Sequence, residues 1–346
     1  MNKLVGLLIG LISVVGFSQT TFEIKGFSEK YEGVLTLVDG YEEEVFKKGV
    51  IAIFDSKSQK KLFEIESEEL TFDLDNDNSV RTNVVELPYG EQSILICQDF
   101  NFDGIKDLAV MDGQFSCYHG PSFQVYLDID NKLIHSPEFT RLAQEYCGMF
   151  SVDYDTKTIH TMTKSGCCWH QFSSFKVVDN KPTPILVVDE NAMDFPFHTT
   201  TITRWEDAKK IETIEKTIDL EYEGIRQVLS FTLLKSQKKV VVYALNGQVL
   251  NYVLIRPDST VEFSYPSTFA YESPDFIINA MEDTLGFKNE EATYKIYEVR
   301  RQGKVEKIGI QVLINGKAYD LKGDVGSLSG SLKGVKQVNL HNVVYQ

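Results

Sequence analysis

Cysteine is missing from the last 178 residues of this 346-residue chain. The C-terminal half therefore has neither disulfides nor thiolate–metal bonds to hold it. Basic residues are in deficit: 35 Lys and Arg stand against 50 Asp and Glu, a net charge of −15. A surface of that sign repels nucleic acid and anionic lipid headgroups, which excludes both as partners, and it attracts cations and basic proteins. Tryptophan is limited to Trp169 and Trp205, sparse for a carbohydrate-stacking platform. There is no Gly-rich phosphate loop and no His-Glu-x-x-His motif. Gly326-Ser-Leu-Ser-Gly330 carries Leu328 where a nucleophile elbow needs serine. Beyond residue 17 no apolar run reaches the roughly 20 residues of a membrane span. What is present, 42% hydrophobic and 25% charged residues, describes a globular chain rather than a disordered or fibrous one.

The N-terminus has the three parts of a secretory leader. Met1-Asn2-Lys3 is a basic start, Leu4–Phe17 is an uncharged, mostly apolar run of 14 residues, and Gly16-Phe17-Ser18 is a small-x-small cleavage pattern. We expect a signal peptide over residues 1–18 and a mature chain from Gln19, with no membrane insertion after its removal. Loss of Lys3 takes the charge from −15 to −16. A periplasmic or extracellular location follows. The remaining 328 residues suit two domains or one large all-β domain.

In an oxidising compartment the five cysteines, Cys97, Cys117, Cys147, Cys167 and Cys168, can pair, with at least one left over. Gly148–Asp153 and Thr158–Lys164 alternate around the turn Tyr154–Lys157. Folding that hairpin brings Cys147 toward Cys167 or Cys168, so a bridge there is expected. A bond between the adjacent cysteines is not expected, because its geometry is strained. Zinc is the competing reading, on Cys117-Tyr-His119 and Cys167-Cys168-Trp-His170. Neither cluster has the Cys-x2-4-Cys spacing of a structural site.

Strand patterns run through the chain: Gly33–Val38, Val50–Asp55, Ser93–Gln98, Leu108–Met111, Ser122–Leu127, Gln171–Val178 and Pro184–Val188. Val228–Leu234, Lys239–Leu245, Gln248–Ile255, Ser259–Tyr265, Ala292–Val299, Ile308–Ile314 and Lys317–Leu321 follow. Asn246-Gly247 and Asn315-Gly316 predict tight hairpins, since both residue types tolerate positive φ. Gly323–Gly334 reads as a loose loop. The best helical pattern is Arg204–Lys216. The fold class is mainly β and antiparallel: a propeller-like domain over 19–200, a helical connector over 201–217 and a second β domain over 218–346, with two β-sandwiches as the alternative.

One motif carries chemistry. Asp99-Phe-Asn101-Phe-Asp103-Gly104-Ile105-Lys-Asp107 follows the calcium-loop pattern Asp-x-Asn-x-Asp-Gly-x-x-Asp. Calcium takes six to eight oxygens, and alternate residues of a loop turn theirs to one point. The expected ligands are the side chains of Asp99, Asn101 and Asp103, the carbonyl of Ile105, and Asp107 directly or through water. Gly104 allows the reversal, and Phe100, Phe102 and Ile105 face away to pack. Position twelve is Val110, so the bidentate Glu of an EF-hand is missing, and strands flank the loop instead of helices. A structural ion of millimolar-range affinity, roughly 10⁻⁴ to 10⁻³ M, is expected. The acidic runs Asp73–Asn78 and Asp128–Asn131 lack the glycine and read as solvated turns.

From about Gly33 to Val188 the chain resembles a family of bacterial periplasmic β-propeller proteins with an EF-hand-like calcium loop. The resemblance rests on Asp99–Leu108, Phe123–Leu127, the 148–164 hairpin and Phe172–Val178. Some members inhibit lysozyme-like toxins delivered by type IV secretion. The resemblance implies a calcium-stabilised interaction scaffold, an inhibitor or immunity-like protein whose partner is a basic cell-wall hydrolase. The alternatives are a secreted glycan-active enzyme and a surface carbohydrate-binding module. No general base or nucleophile adjoins the loop, and carboxylates are too abundant for an acid–base pair to stand out.

Overall fold

The computed structural model describes residues 19–84, 93–206, 209–267, 274–279, 281–336 and 340–346; the expected leader, residues 1–18, lies outside them. The mainly-β class holds, with antiparallel pairing prevailing. β1 (Thr21–Ile24), β2 (Tyr31–Leu37), β3 (Lys47–Asp55) and β4 (Lys61–Leu70) form a sheet in sequence order. In β2 period-2 alternation is visible directly: Tyr31, Gly33, Leu35 and Leu37 face inward and the residues between them do not. β5 (Leu95–Gln98), β6 (Asp107–Ser116), β7 (Gly120–Ile129) and β8 (Lys132–His135) form a second sheet of the same kind. Its inner strand β6 is buried at every position except Phe115, as the run Leu108-Ala-Val-Met111 demands.

Helix α1 (Pro137–Glu145) follows, with Ser136 accepting from the Phe139 N–H as its cap and Pro137 in the first turn. The third sheet contains β9 (Ser151–Asp153), β10 (Thr158–Ser165), β11 (Trp169–Val178), β12 (Lys181–Asn191), β13 (Phe197–Glu206) and β14 (Lys209–Ile218), again in sequence order. The helical connector expected over 201–217 is thus corrected to a hairpin. Thr213, Thr217 and the isoleucines of β14 are β-branched and favour extended backbone. As an edge strand exposed at most positions, β14 shows no burial alternation, and its charges imitate a solvated helix.

β15 (Ile225–Thr232), β16 (Lys239–Leu245), β17 (Val249–Ile255) and β18 (Val261–Tyr265) form a fourth sheet, with the short β24 (Ser329–Gly330) beside β15. The fifth sheet joins β19 (Phe276–Asn279), β20 (Thr284–Asn289), β21 (Ala292–Arg301), β22 (Lys304–Ile314) and β23 (Lys317–Lys322); β25 (Val343–Tyr345) pairs in parallel with β19. Asn246 and Gly247 have φ of 49° and 67°, and Asn315 and Gly316 have 51° and 73°, as the two tight hairpins require. The expected loose loop at 323–334 is corrected: Ser329 and Gly330 pair with β15, and Leu332 is wholly buried.

Two compact units result. The N-terminal unit comprises the residues up to Ser165 with His170–Val187 and Arg204–Lys210; the C-terminal unit comprises Gly166–Trp169, Val188–Thr203 and Ile211–Gln346. The N-terminal core gathers Leu35, Ile51, Ile96, Phe100, Val110, Phe123, Phe139 and Ile159. In the C-terminal unit the fourth and fifth sheets enclose a shared core that includes Phe231, Val242, Tyr252, Phe276, Phe287, Ile296 and Ile310, a two-layer sandwich. The opposite face of β16 and β17 is covered as well, by Phe197, Ile218, Leu220 and Tyr222. β16 is consequently buried at every position after Lys239. Among the described residues no helix is long and apolar enough to cross a membrane.

Candidate functional site

The acidic loop is the connection of the β5–β6 hairpin, closed where Gln98 pairs with Asp107. It is held from within by its own side chains. Asp99 accepts the Asp103 N–H at 3.2 Å on Oδ1 and the Gly104 N–H at 2.9 Å on Oδ2. Asp103 Oδ1 accepts the Ile105 N–H at 2.7 Å, and Asn101 Oδ1 accepts the Asp103 N–H at 3.2 Å. The reversal uses left-handed backbone at Phe102 (φ 63°) and Gly104 (φ 89°). Phe100 is fully buried, its ring edge-on to Phe150 at 5.3 Å, and Phe102 packs edge-on to Tyr154 at 6.0 Å. Ile105 is half-buried. The apolar residues therefore anchor the loop as expected.

Asp107 is fully buried, with Oδ2 accepting the Phe100 N–H at 2.8 Å and Oδ1 the Asp128 N–H at 2.9 Å. Burial pushes its carboxyl up to about 7; the two N–H bonds oppose that rise, while the charges of Asp103 and Asp99 add to it. Asn101 turns its amide nitrogen to Asp103 Oδ2 at 3.0 Å and to Asn180 Oδ1 at 3.1 Å.

The donor set fits calcium in type: three carboxylates, a side-chain amide and a backbone carbonyl. In position it is incompletely assembled. Among the described residues no group of three or more His, Cys, Asp or Glu side chains is arranged to hold a metal ion. The donors that meet Asp99, Asp103 and Asp107 are neutral N–H groups, so hydrogen bonding brings the loop no positive charge. Each carboxylate oxygen has a second lone pair beyond the bond it accepts.

The cysteine expectations are corrected. Cys147 bonds to Cys117, and Cys167 bonds to its neighbour Cys168, leaving Cys97 free and buried. The hairpin places the Cys147 N–H on the Met162 carbonyl at 2.8 Å, near the expected register. β10 then runs on to Ser165 before turning at Gly166, and at about 3.3 Å per residue this carries Cys167 and Cys168 past Cys147. The turn at Cys117–His119 approaches instead, with Ser116 Oγ accepting the Gly148 N–H at 3.1 Å. With those four sulfurs in disulfides, neither Cys-His cluster offers thiolates to zinc. Burial pushes the Cys97 thiol up to about 11, which keeps it protonated.

Sequence reasoning missed Asp128. In place of a solvated turn its carboxylate is fully buried, accepting from Tyr31 Oη at 2.8 Å and Lys30 Nζ at 2.9 Å on Oδ2. Alternation along the strand, with Phe123, Val125 and Leu127 inward, places Asp128 on the other face, so no local pattern signalled its burial. The run Asp73–Asn78 is a turn, closed by the Leu74–Val80 bridge and by Asp77 accepting from Ser79.

No family model matches the chain, and no curated protein does. Among solved structures the chain is similar to a Xanthomonas protein described as related to a type IV secretion system. Identity is 20% over 57% of this chain and 94% of that one, with a TM-score of 0.44. It is also similar to a structure from a study of two prolyl endopeptidases, at 8% identity and a TM-score of 0.23, with 91% of this chain and 44% of that one covered. The chain thus spans less than half of the second structure's length.

Proposed function

We propose that the chain is an exported, calcium-stabilised β scaffold that recognises a protein partner, with a basic cell-wall hydrolase of the lysozyme type as the partner its charge favours. The observation that carries this reading is the β5–β6 loop, where Asp99, Asp103 and Asp107 are concentrated on neutral donors. A dication there would relieve the repulsion and tie Asp99, Asn101, Asp103, the Ile105 carbonyl and Asp107 into one rigid connection. The four-stranded meanders β1–β4 and β5–β8 have the strand order of propeller blades, and a propeller built on them belongs to the same proposal. Two disulfides accord with export to an oxidising compartment.

Partner recognition follows from the net charge of −15, whose field speeds encounter with a basic surface. The test is surface plasmon resonance of the mature chain against a panel of basic lysozymes, at low and physiological salt, alongside lysis assays. Binding whose association rate falls as salt rises, with loss of lytic activity, is the expected result. Absence of binding at low salt across the panel sinks the reading.

A further inference from the structure

A second site lies in the N-terminal unit, connected to the acidic loop through the Asp128 N–H that Asp107 accepts. A cavity of about 520 Å³ opens between the β3–β4 turn and the β7–β8 turn. That volume falls in the range of small-molecule pockets. Three lysines line it, Lys30, Lys57 and Lys132, against the single carboxylate of Asp55. On a chain of net charge −15 such a concentration of positive charge runs against the rest of the surface.

The lysines differ in how they are held. Lys30 Nζ is fixed by Asp128 Oδ2 at 2.9 Å and by Asn131 Oδ1 at 3.2 Å. Asp128 beneath it is fully buried, takes the Tyr31 hydroxyl on the same oxygen, and leaves Oδ1 without a hydrogen-bond partner among the described residues. An unsatisfied buried carboxylate oxygen is costly, so this ion pair is a built feature rather than an incidental surface contact. Lys57 and Lys132 are exposed and make no direct ion pair among the described residues, and the Lys57 charge acts on the neighbouring Asp55. Their ammonium groups remain available to a ligand.

The cavity also has an aromatic wall. Phe63 and Tyr126 stack with ring centroids 4.0 Å apart and planes 13° from parallel, and both residues line the opening. Because the two rings cover each other's inner faces, an outer face of the pair is what a sugar or aryl ring would meet, and ammonium groups at the rim offer point charges to an anion. At physiological salt the more distant acidic surface is screened beyond about 8 Å, while the nearby lysines are not.

We propose that this cavity binds a small ring-bearing organic anion, its ring against Phe63 and Tyr126 and its carboxylate or phosphate group at Lys57 and Lys132. The inference is independent of calcium and of the protein partner. Calorimetric titration of the full mature chain at physiological salt would use glucuronate and phenyl phosphate as the two ring acids. Glucose, phenol and inorganic phosphate serve as controls that lack the charge or the ring. At least one ring acid should bind ten times more tightly than every control. Lys57→Glu with Lys132→Glu should weaken that binding at least tenfold while leaving the melting temperature within a degree or two, since both side chains are exposed. Preference for glucuronate identifies an acidic sugar, and preference for phenyl phosphate an aryl acid. Ring acids that bind no better than the controls, or binding unchanged by the double charge reversal, would overturn the proposal.

Discussion

The two units treat buried charge differently. The N-terminal unit buries Asp107, Asp112 and Asp128, whereas the sandwich of the C-terminal unit buries Glu298. Glu298 is answered within its own unit by the Arg300 guanidinium, by Ser331 Oγ at 3.0 Å and by the Leu332 N–H at 2.9 Å. Among the described residues Asp107 has only backbone N–H groups, Asp112 has the Ser122 hydroxyl and the Gln144 amide, and Asp128, although paired with Lys30, keeps one oxygen unsatisfied. Charged partners for a buried carboxylate make a self-contained fold; neutral partners leave a fold that responds to added cations. The C-terminal unit should therefore depend on apolar packing, and the N-terminal unit on cross-links and ions.

The largest expected effect tests the apolar side. Phe287 touches Tyr252, Phe263, Tyr265, Phe276 and Tyr294, with ring centroids between 4.7 and 6.4 Å. Phe287→Ala should cost about 3–5 kcal/mol. Hydrogen exchange should show that loss in β15–β25 and leave the β5–β6 amides as protected as before. Equal loss in both units would mean that they unfold together, and the contrast between them would have no energetic meaning.

Next in size are the cross-links. The Cys117–Cys147 bond spans 30 positions, and closing such a loop removes roughly 3–4 kcal/mol of unfolded-chain entropy in the simplest model. Cys167–Cys168 spans one position and restrains almost nothing, about 1 kcal/mol on the same basis. Paired serine substitutions at each site, compared by chemical denaturation, should differ in that order. A larger loss at 167 and 168 would place the stabilising role at the hairpin tip instead.

Calcium comes third. At a hundredfold excess over its Kd, an ion that binds only the folded chain stabilises it by about 2.7 kcal/mol. The gain should appear as protection of the β5–β6 amides, and Asp103→Ala should remove it. A melting curve identical in calcium and in chelator would leave the loop a self-capped turn.

How much of this could be read from residues alone depended on how local each signal was. Alternation in β2 and the Asn-Gly pairs at 246 and 315 are complete within a few positions, and the strands and turns formed where they pointed. The loop at 99–107 was equally local: its spacing and glycine marked the hairpin connection and the side chains that cap it. Whether its oxygens converge on an ion depends on Asn180 and Asp128, distant in sequence, and no pattern encodes that. α1 was not anticipated: Ser136 and Pro137 are start signals, but its nine residues sit in a chain whose turns are also rich in such residues. β14 misled because an exposed edge strand has no buried face to impose a period. The cysteine pairing turned on how far β10 runs past Cys147, a matter of strand length rather than residue type.

The smallest effect is also the most discriminating. Gly104 and Gly316 both have left-handed backbone, at φ of 89° and 73°, and an added Cβ meets nothing within 4 Å at either. Alanine at either position thus carries only the conformational cost of that region, roughly 1–2 kcal/mol. In chelator the two substitutions should cost the same, because the local physics is the same. In calcium they should part: Gly316→Ala keeps its cost, while Gly104→Ala loses more, since its reversal also aims Asp99, Asn101 and Asp103. Equal costs in both conditions, measured by the same denaturation curve, would mean that the acidic loop and the C-terminal hairpin turn are equivalent, and that no ion distinguishes the two units.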